Sequence, residues 1–405
     1  MADQNRSDKE SLVDRLAVES VEPVESEVMD NLVSLPDIPI PETSEVDAEI
    51  IEDKMPVAFK FGFIGAGQAG SRIAYSLYKL GYRRVCCVNT NVQDLAGIGI
   101  PEENKLVMDI GEGGAGKDPA KGKKAAEKYR DDIYDLMRRS FGKDFDRIFV
   151  CVGAGGGSGS GTAATTINIA REMCDVMKIE NTVGAIVSLP KINEGKTVNA
   201  NAHKVVQELF ALVGEDRGKL AQRSLSPLIM VDNERISNMY PGLAVSKFWN
   251  TANSSITGLF HLFNSIACQD SDLTTFDKAD FKDILDSGVM TYGACPVANY
   301  STMTEISKVM RENLARNVLV GGFDISKASV GACIFIGSPD IFDSIPQSHL
   351  EHGFDTMVRI MSGGTLHRGI YKGSNKGLVV YTALSELGYP QERMDEVAKI
   401  GGLTN

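Results

Sequence analysis

The sequence Gly153-Ala-Gly-Gly-Gly-Ser-Gly-Ser-Gly161 decides the fold, because it joins a strand-like apolar run, 147–152, to a helix-like segment from Thr162. Six of its nine residues are glycine. Glycine lets a backbone approach an anion closely and leaves N–H groups free to bind it at the start of a helix. A flexible linker fits poorly between a strand and a helix, and no Gly-Lys-Ser/Thr completes a Walker loop. The run therefore predicts a phosphate-binding loop.

Strand-like and helix-like segments alternate on both sides of this run. The strand-like segments are 59–65, 85–91, 105–110, 147–152, 183–189 and 227–231. The helix-like segments between them include 71–80, 121–139 and the one that starts at Thr162. Such alternation predicts an α/β fold with a doubly wound parallel sheet, whose ligands bind at the carboxyl ends of the strands.

The chain changes character after residue 243. A long helix is predicted over 244–266, and strand-like runs at 332–337 and 377–381 flank a helical segment at 346–361. This pattern predicts a smaller α+β domain after a long central helix, and 405 residues suit about two domains.

The acidic charge is confined to the first 57 residues. They hold 16 acidic and 4 basic residues, no glycine and no aromatic residue, and they account for the whole net charge of −12. Such a segment buries too little apolar surface to fold, so we predict a disordered tail. It is either a solvated spacer or an arm that docks an adaptor or inhibits the chain itself.

The remaining composition is that of a soluble protein. No apolar run is long enough for a membrane helix, and the N-terminus lacks a signal pattern, which predicts a cytoplasmic protein without membrane insertion. The seven cysteines form no CxxC pair, so we expect reduced thiols and no metal site built by the protein. The neutral body gives no reason to expect direct nucleic-acid binding.

Two further glycine loops accompany the first. Gly65-Ala-Gly-Gln-Ala-Gly70 matches the GxGxxG dinucleotide fingerprint, but the next strand ends Val88-Asn-Thr-Asn91 without the acid that holds a ribose. Asp94 in the following loop keeps a nicotinamide- or flavin-dependent oxidoreductase open. The third loop is Gly113-Gly-Ala-Gly-Lys-Asp-Pro119. Three such loops at one sheet edge favour a polyphosphate ligand.

These motifs resemble those of the tubulin/FtsZ superfamily. Gly155-Gly-Gly-Ser-Gly-Ser-Gly161 resembles the GGGTGSG signature of tubulins, and Gly67-Gln-Ala-Gly-Ser-Arg-Ile73 is similar to their first loop. Val88-Asn-Thr-Asn-Val-Gln-Asp-Leu95 and Gly114-Ala-Gly-Lys-Asp-Pro119 resemble the FtsZ versions. The match runs in order from about residue 59 to 284.

The resemblance implies a GTPase that binds GTP or GDP with Mg²⁺ and assembles head to tail into a filament of its own copies. It implies a GTP-binding domain at 58–243, a central helix at 244–270 and a C-terminal activation domain at 271–405. The implied nucleotide-binding residues are Gly67, Gln68, Ala69, Gly70, Arg72, Asn89, Ala115, Gly116, Lys117, Gly155, Gly156, Gly157, Ser158, Gly159, Ser160, Gly161, Glu194, Asn233, Trp249 and Asn253.

Several of these residues have distinct implied roles. Glu194 falls in the loop that contacts the sugar, and Asn233 falls where the family contacts the nucleoside. Trp249 would stack on guanine and Asn253, one helical turn later, would bond the edge of the base. Phe248 is the stacking residue if the register differs by one, and Trp249 is otherwise a core residue.

The implied catalytic residues are Asp277 and Asp280, in Thr275-Phe-Asp-Lys-Ala-Asp280. In the family, such acids reach the nucleotide of the next subunit, where carboxylates can orient an attacking water. The alternative is that they only cap the following helix. The family's first residue of this loop is Asn and here is Thr275, which puts the hydrolysis rate in doubt.

Two other departures bear on function. The arginine that FtsZ places after Glu-Gly-Lys is replaced by Thr197 or Val198, and the C-terminal sequence does not resemble the FtsZ adaptor-binding peptide. The sequence therefore predicts a GTP-dependent filament protein for cell division or for DNA or organelle positioning. A GTP-binding scaffold without turnover remains the alternative from another class.

Overall fold

The computed structural model describes residues 52–403 apart from 112, 181–182, 214–224, 243, 316–318, 320 and 374–376. The acidic tail up to residue 51 lies outside the described residues. The strands are β1 Phe61–Ala66, β2 Val85–Asn89, β3 Lys105–Val107, β4 Arg147–Gly153, β5 Gly184–Leu189, β6 Leu228–Asp232, β7 Val289–Val297, β8 Val330–Gly337, β9 Thr365–Lys372 and β10 Leu378–Leu387.

The helices of the described part separate these strands. They are α1 Gly67–Lys79, α2 Val92–Ala96, α3 Pro119–Lys128, α4 Arg130–Phe141, α5 Ser158–Val176, α6 Lys196–Val213, α7 Asn233–Met239, α8 Val245–Ile266, α9 Lys278–Asp286, α10 Met303–Ala315, α11 Pro339–Ser344, α12 Gln347–Ile360 and α13 Gln391–Ile400.

The strands form one sheet in the order β3-β2-β1-β4-β5-β6-β7-β10-β8-β9. Strands β3 to β6 pair in parallel, and β1 lies between β2 and β4. The chain builds outward from β1 to β3 and then returns to add β4 on the other side, so the strand order reverses between β1 and β4. A reversal of this kind leaves a crevice at the carboxyl ends of the two strands, where α/β proteins bind ligands. The predicted doubly wound fold is confirmed.

The two predicted domains share this sheet. Strand β6 continues into the C-terminal half by pairing with β7 at Leu228↔Val289 and Ile229↔Met290. Beyond β7 the sheet is antiparallel through β10 and β8, and β9 forms its edge, parallel to β8. The C-terminal half is therefore mixed, as an α+β unit requires, but it extends the sheet of the first half.

Alternating side chains of each strand enter one of two cores. Phe61 and Phe63 pack with helices α1, α8 and α9, and Phe260 of α8 lies 5.5 Å from Phe61 between ring centroids. Ile64 and Val150 point to the opposite face, which helices α3 to α6 cover. Because both faces are buried, the strands read as nearly continuous apolar runs.

One predicted helix is two helices. The segment 121–139 is interrupted at Tyr129, where φ is −100° and ψ is 22°, so α3 ends and α4 begins there. Asp131 and Asp132 occupy the first turn of α4, where negative charge stabilises a helix N-terminus. The continuous 3.6-residue apolar period concealed this boundary.

The last residues of the predicted tail belong to the folded body. Asp53 accepts a 2.9 Å bond from Arg84, the N–H of Lys54 bonds the carbonyl of Gly81, and Met55 is buried. The predicted tail, 1–57, therefore extends too far, because a charge partner and an apolar contact on the folded body hold residues 53–55 in place.

A buried arginine joins the two halves of the sheet. Arg147 at the start of β4 is fully buried; it donates to the carbonyl of Ser226 at 2.6 Å and pairs with Asp286 at the end of α9. Lys282 approaches the same carboxylate from the solvent side and is 44% exposed.

We predict that Asp286→Ala lowers the free energy of unfolding by about 3 kcal/mol, because it leaves the Arg147 charge buried without its carboxylate. Lys282→Ala, the matched control, should cost under about 1 kcal/mol, because exposed ion pairs contribute little. Urea unfolding followed by circular dichroism measures both. Equal losses of unfolding free energy in the two variants would contradict the stabilising role of the buried Arg147–Asp286 pair.

Candidate functional site

A cleft of about 490 Å³ opens at the carboxyl ends of β1 and β4. Its lining comes from several loops that the sheet brings together. The lining residues are Ala66, Gly67, Gln68, Ala69, Thr90, Asn91, Asp94, Gly113, Gly114, Ala115, Gly116, Lys117, Gly153, Gly155, Gly156, Gly157, Ser158, Gly159, Ser188, Pro190, Glu194, Val198 and Asn233.

The glycine-rich run forms the floor of the cleft and the start of a helix. Strand β4 extends to Gly153, and α5 begins at Ser158, four residues before the predicted start at Thr162. Gly157 at the N-cap supplies no side-chain cap, so the N–H groups of the first turn remain available to a ligand. A helix of 19 residues thus presents the positive end of its dipole to the cleft.

Some glycines serve packing between loops. A Cβ on Gly67 would lie 2.7 Å from the nitrogen of Gly159, and one on Gly70 would lie 2.0 Å from the carbonyl oxygen of Cys151. A Cβ on Gly161 would lie 2.1 Å from the carbonyl oxygen of Pro119. A Cβ on Gly156 would meet no heavy atom within 4 Å. Gly70 and Gly161 therefore allow backbones to touch behind the cleft, while Gly156 faces open space.

Thr90 connects the loops that surround the cleft. Its hydroxyl lies 2.6 Å from the hydroxyl of Ser158 and accepts a 3.0 Å bond from the N–H of Ala115. Asn201 of α6 adds a second link, because its amide donates to the carbonyls of Lys117 and Gly155. Thr90 and Asn201 thus link the glycine-rich run 153–161 to the third loop, 113–119.

The third loop is a concave stretch of backbone. Gly113, Gly114, Gly116 and Lys117 all have positive φ, of 71°, 132°, 55° and 66° respectively. Lys117 tolerates this conformation at a cost that its three glycine neighbours avoid. Turns of this type direct successive N–H groups toward an anion.

Asp94 is fixed beside the first loop. Gln68 donates to one of its carboxylate oxygens at 2.9 Å, and Asn89 donates to the other at 3.1 Å. Asn89 is fully buried and does not line the cleft, so it positions Asp94 from behind. Asp94 is the acid that kept the oxidoreductase hypothesis open; both of its oxygens already accept bonds from the protein.

The far side of the cleft is held by the C-terminal helix α13. Arg393 donates to both carboxylate oxygens of Asp232, at 2.9 and 3.1 Å, and to the carbonyl of Pro190 at 3.0 Å. Burial lowers the pKa of Arg393, but the Asp232 and Glu396 carboxylates together outweigh this and raise the pKa above its usual value. Asp232 also caps α7, whose first residue is Asn233.

The cleft lining contains thirteen of the predicted nucleotide-binding residues. They are Gly67, Gln68, Ala69, Ala115, Gly116, Lys117, Gly155, Gly156, Gly157, Ser158, Gly159, Glu194 and Asn233. The remaining seven lie outside the lining: Gly70, Arg72, Asn89, Ser160, Gly161, Trp249 and Asn253. Ser160 bonds the carbonyl of Ala154, so its hydroxyl serves the loop itself.

Sequence reasoning missed Thr90, Asn91, Ser188, Pro190 and Val198 in the cleft lining. Thr90 and Asn91 directly follow β2, and Ser188 and Pro190 lie at the end of β5. Their position at the carboxyl ends of strands was the available signal.

Trp249 and Asn253 lie one turn apart on α8, and the guanine contact stays a prediction. Trp249 is 38% exposed, so the alternative that it belongs to the core is wrong. Asn253 is half-buried. The side chain of Phe248, the other stacking candidate, lies outside the described part.

Asp277 and Asp280 form a capping box at the start of α9. Asp277 accepts bonds from the N–H groups of Ala279 and Asp280, and Asp280 accepts a 3.1 Å bond from the N–H of Asp277. Neither acid lines the cleft of its own chain. Capping is therefore their role within one chain, and a role in the cleft of a second chain stays a prediction.

Two kinds of feature are absent from the described residues. Among the helices described there, none combines the length and the apolar character that a membrane span requires. No group of three or more His, Cys, Asp or Glu side chains there is arranged to hold a metal ion.

The switch-point cleft and its converging glycine loops are typical of α/β proteins that bind phosphate-bearing ligands. Residues 60–214 match the family model described as "Tubulin/FtsZ family, GTPase domain". Over this region the chain is therefore similar to the GTPase domain of the tubulin/FtsZ family.

Relatives agree with this assignment. The tubulin-like protein TubZ of Bacillus cereus is 24% identical over 274 residues, which are 63% of this chain and 59% of the relative. The cell division protein FtsZ of Porphyromonas gingivalis is 26% identical over 364 residues, covering 82% of this chain and 73% of the relative. The match thus spans about three fifths of the TubZ relative and more of the FtsZ relative.

The fold has a solved counterpart. A crystal structure of a GTPγS-form protofilament of TubZ from Bacillus thuringiensis serovar israelensis superposes with a TM-score of 0.74 at 20% identity. The superposition covers 86% of this chain and 92% of that one. The likeness extends beyond the matched GTPase domain into the C-terminal half.

We predict that Gly70→Ala lowers the free energy of unfolding by about 3 kcal/mol, because its methyl group would overlap the backbone of β4. Gly156→Ala, the matched control, should change stability by under about 1 kcal/mol, because its methyl group enters open space. Thermal unfolding of both variants measures the difference. Similar melting temperatures for the two variants would contradict the packing role of Gly70.

Proposed function

We propose that the chain binds GTP in the cleft and hydrolyses it where a second copy, stacked head to tail, covers the cleft. The observation that carries the proposal is the arrangement of three N–H-rich loops around one cleft at the switch point. The matched GTPase domain and the protofilament form of the TubZ counterpart support the same function. The oxidoreductase alternative is not favoured.

The cleft binds polyphosphate mainly through its backbone. Among the described lining residues Lys117 is basic, while Asp94 and Glu194 are acidic. Side-chain charge therefore does not attract an anion there, and the N–H groups of α5 and the positive-φ loop must supply the affinity.

Mg²⁺ fits the same cleft. It prefers oxygen ligands and is commonly held by one or two carboxylates together with substrate phosphates. The Asp94 carboxylate lines the cleft among N–H-rich loops, and Thr90 and Asn91 supply neutral oxygens beside it. When bound, the ion would neutralise phosphate charge as it develops during hydrolysis.

The nucleoside would lie toward α7. The Asn233 side chain lines the cleft and forms no hydrogen bond with another described residue, so its amide is available to a ligand. The Glu194 carboxylate accepts the N–H of Lys191 at 2.8 Å, which holds it at the rim where the family contacts the sugar. Trp249 and Asn253 would complete the base site.

Hydrolysis would require the second copy. No Asp or Glu other than Asp94 and Glu194 is among the described residues that line the cleft, and Asp94 is held by two donors. Asp277 and Asp280 lie at the exposed start of a helix, from which they could enter the cleft of another copy. A head-to-tail contact of this kind produces open filaments. The filament would serve cell division or the positioning of DNA or an organelle.

We predict that Thr90→Val weakens GDP binding about tenfold, because it removes the acceptor for the buried N–H of Ala115 and the contact with Ser158. Thr90→Ser retains the hydroxyl and should bind within about twofold of the wild type. Isothermal titration calorimetry with GDP measures affinity without turnover. Equal affinities for the two variants would contradict the linking role of Thr90.

We predict that Asp277→Asn and Asp280→Asn each lower GTP turnover at least about a hundredfold while GDP affinity is unchanged, because the carboxylate charge that orients water is lost. Asparagine caps a helix as well as aspartate does, so the start of α9 remains folded. Phosphate release and pelleting are measured together, with and without GTP. Turnover at the wild-type rate in either variant would mean that the catalytic assignment is wrong.

A further inference from the structure

His367 bridges two carboxylates of α9. It lies on β9, and its side chain is 16% exposed. Its Nδ1 lies 2.7 Å from Oδ1 of Asp280, and its Nε2 lies 2.9 Å from Oδ2 of Asp283. Both ring nitrogens therefore contact acids of one helix, and one of these is a proposed catalytic residue.

The two contacts differ in environment. Ionised carboxylates only accept hydrogen bonds, so the ring must donate at Nδ1 to hold Asp280 and at Nε2 to hold Asp283. The side chain of Asp283 is 50% exposed, whereas that of Asp280 is 27% exposed. Solvent competes less at the Asp280 contact, so this contact fixes its acid more firmly.

The strand that carries His367 also holds the loop before α9. The N–H of Ile370 donates to the carbonyl of Thr274 at 2.9 Å. The hydroxyl of Tyr371 accepts the N–H of Phe276 at 2.8 Å and donates to its carbonyl at 3.1 Å. β9 thus fixes the backbone that leads to Asp277, and His367 is the side chain of β9 that reaches the acids.

We infer that His367 is a positioning residue that holds the Asp280 carboxylate in the orientation in which it enters the cleft of the next copy. Oδ2 of Asp280 accepts the N–H of Asp277, and Oδ1 faces His367, so the two bonds fix the carboxylate plane. Each oxygen retains a lone pair for a water molecule. The inference rests on the proposed function, because it requires Asp280 to act in hydrolysis.

Two substitutions test the contributions of the two ring nitrogens separately. His367→Asn places an amide N–H near the position of Nδ1, facing Asp280, and His367→Gln places one near the position of Nε2, facing Asp283. We expect His367→Gln to lower kcat for GTP about tenfold with KM unchanged, and His367→Asn to remain within about threefold of the wild type. Phosphate release at several GTP concentrations measures both constants.

Controls exclude loss of folding or assembly. Arg368→Gln alters the neighbouring residue of β9, which pairs with Glu351 of α12 at 3.0 Å, and it should leave kcat unchanged. Pelleting with GTPγS should show that both His367 variants assemble as the wild type does.

The outcomes distinguish the inference from the function on which it rests. Equal loss of kcat in His367→Asn and His367→Gln, or no loss in either, overturns the positioning role while Asp280→Asn still abolishes turnover. If Asp280→Asn turns over GTP at the wild-type rate, the proposed function fails first.

Discussion

The contact between two helix N-termini at the reversal of the sheet is the constraint on which the rest of the structure depends. Helix α1 begins after β1 and α5 after β4, and Gly67 meets Gly159 backbone to backbone. Only glycine permits this approach, since a Cβ on Gly67 would lie 2.7 Å from the next backbone. The approach directs two helix N-termini into one cleft, which makes it an anion site before any side chain contributes.

The charges around the cleft explain why a single chain would be insufficient for the proposed hydrolysis. The lining has little positive side-chain charge, and both of its acids are already bonded within the chain, Asp94 by Gln68 and Asn89 and Glu194 by the N–H of Lys191. Under the proposed function, the cleft of a single chain therefore holds the nucleotide and a second copy supplies the acids for hydrolysis. The acids proposed for hydrolysis, Asp277 and Asp280, are held at the start of α9 by their own capping box and by β9.

The fold could be predicted from sequence where local pattern and tertiary structure agree. The run 153–161 and the apolar segments around it predicted β1, β2, β4 and β5, because strands buried on both faces are continuous apolar runs. The central helix α8 was also predicted. The same pattern could not locate the break at Tyr129, nor show that β6 pairs with β7, because both depend on distant contacts. The strand order β3-β2-β1-β4-β5-β6 also occurs in dinucleotide-binding folds, so it does not distinguish a polyphosphate ligand from a dinucleotide. Only the three glycine loops favoured a polyphosphate.

The sequence predicted the loops of the site but not the side chains that join them. Glycine motifs identified the loops, but Gly70 and Gly161 proved to serve packing, and Thr90, which joins the loops, carries no motif. Completion of the site by a second copy can be measured through phosphate release per subunit at saturating GTP, followed as a function of protein concentration. If a second copy completes the site, the rate per subunit rises steeply above a threshold concentration, at which pelletable polymer also forms. A rate per subunit that stays constant across that range would contradict it.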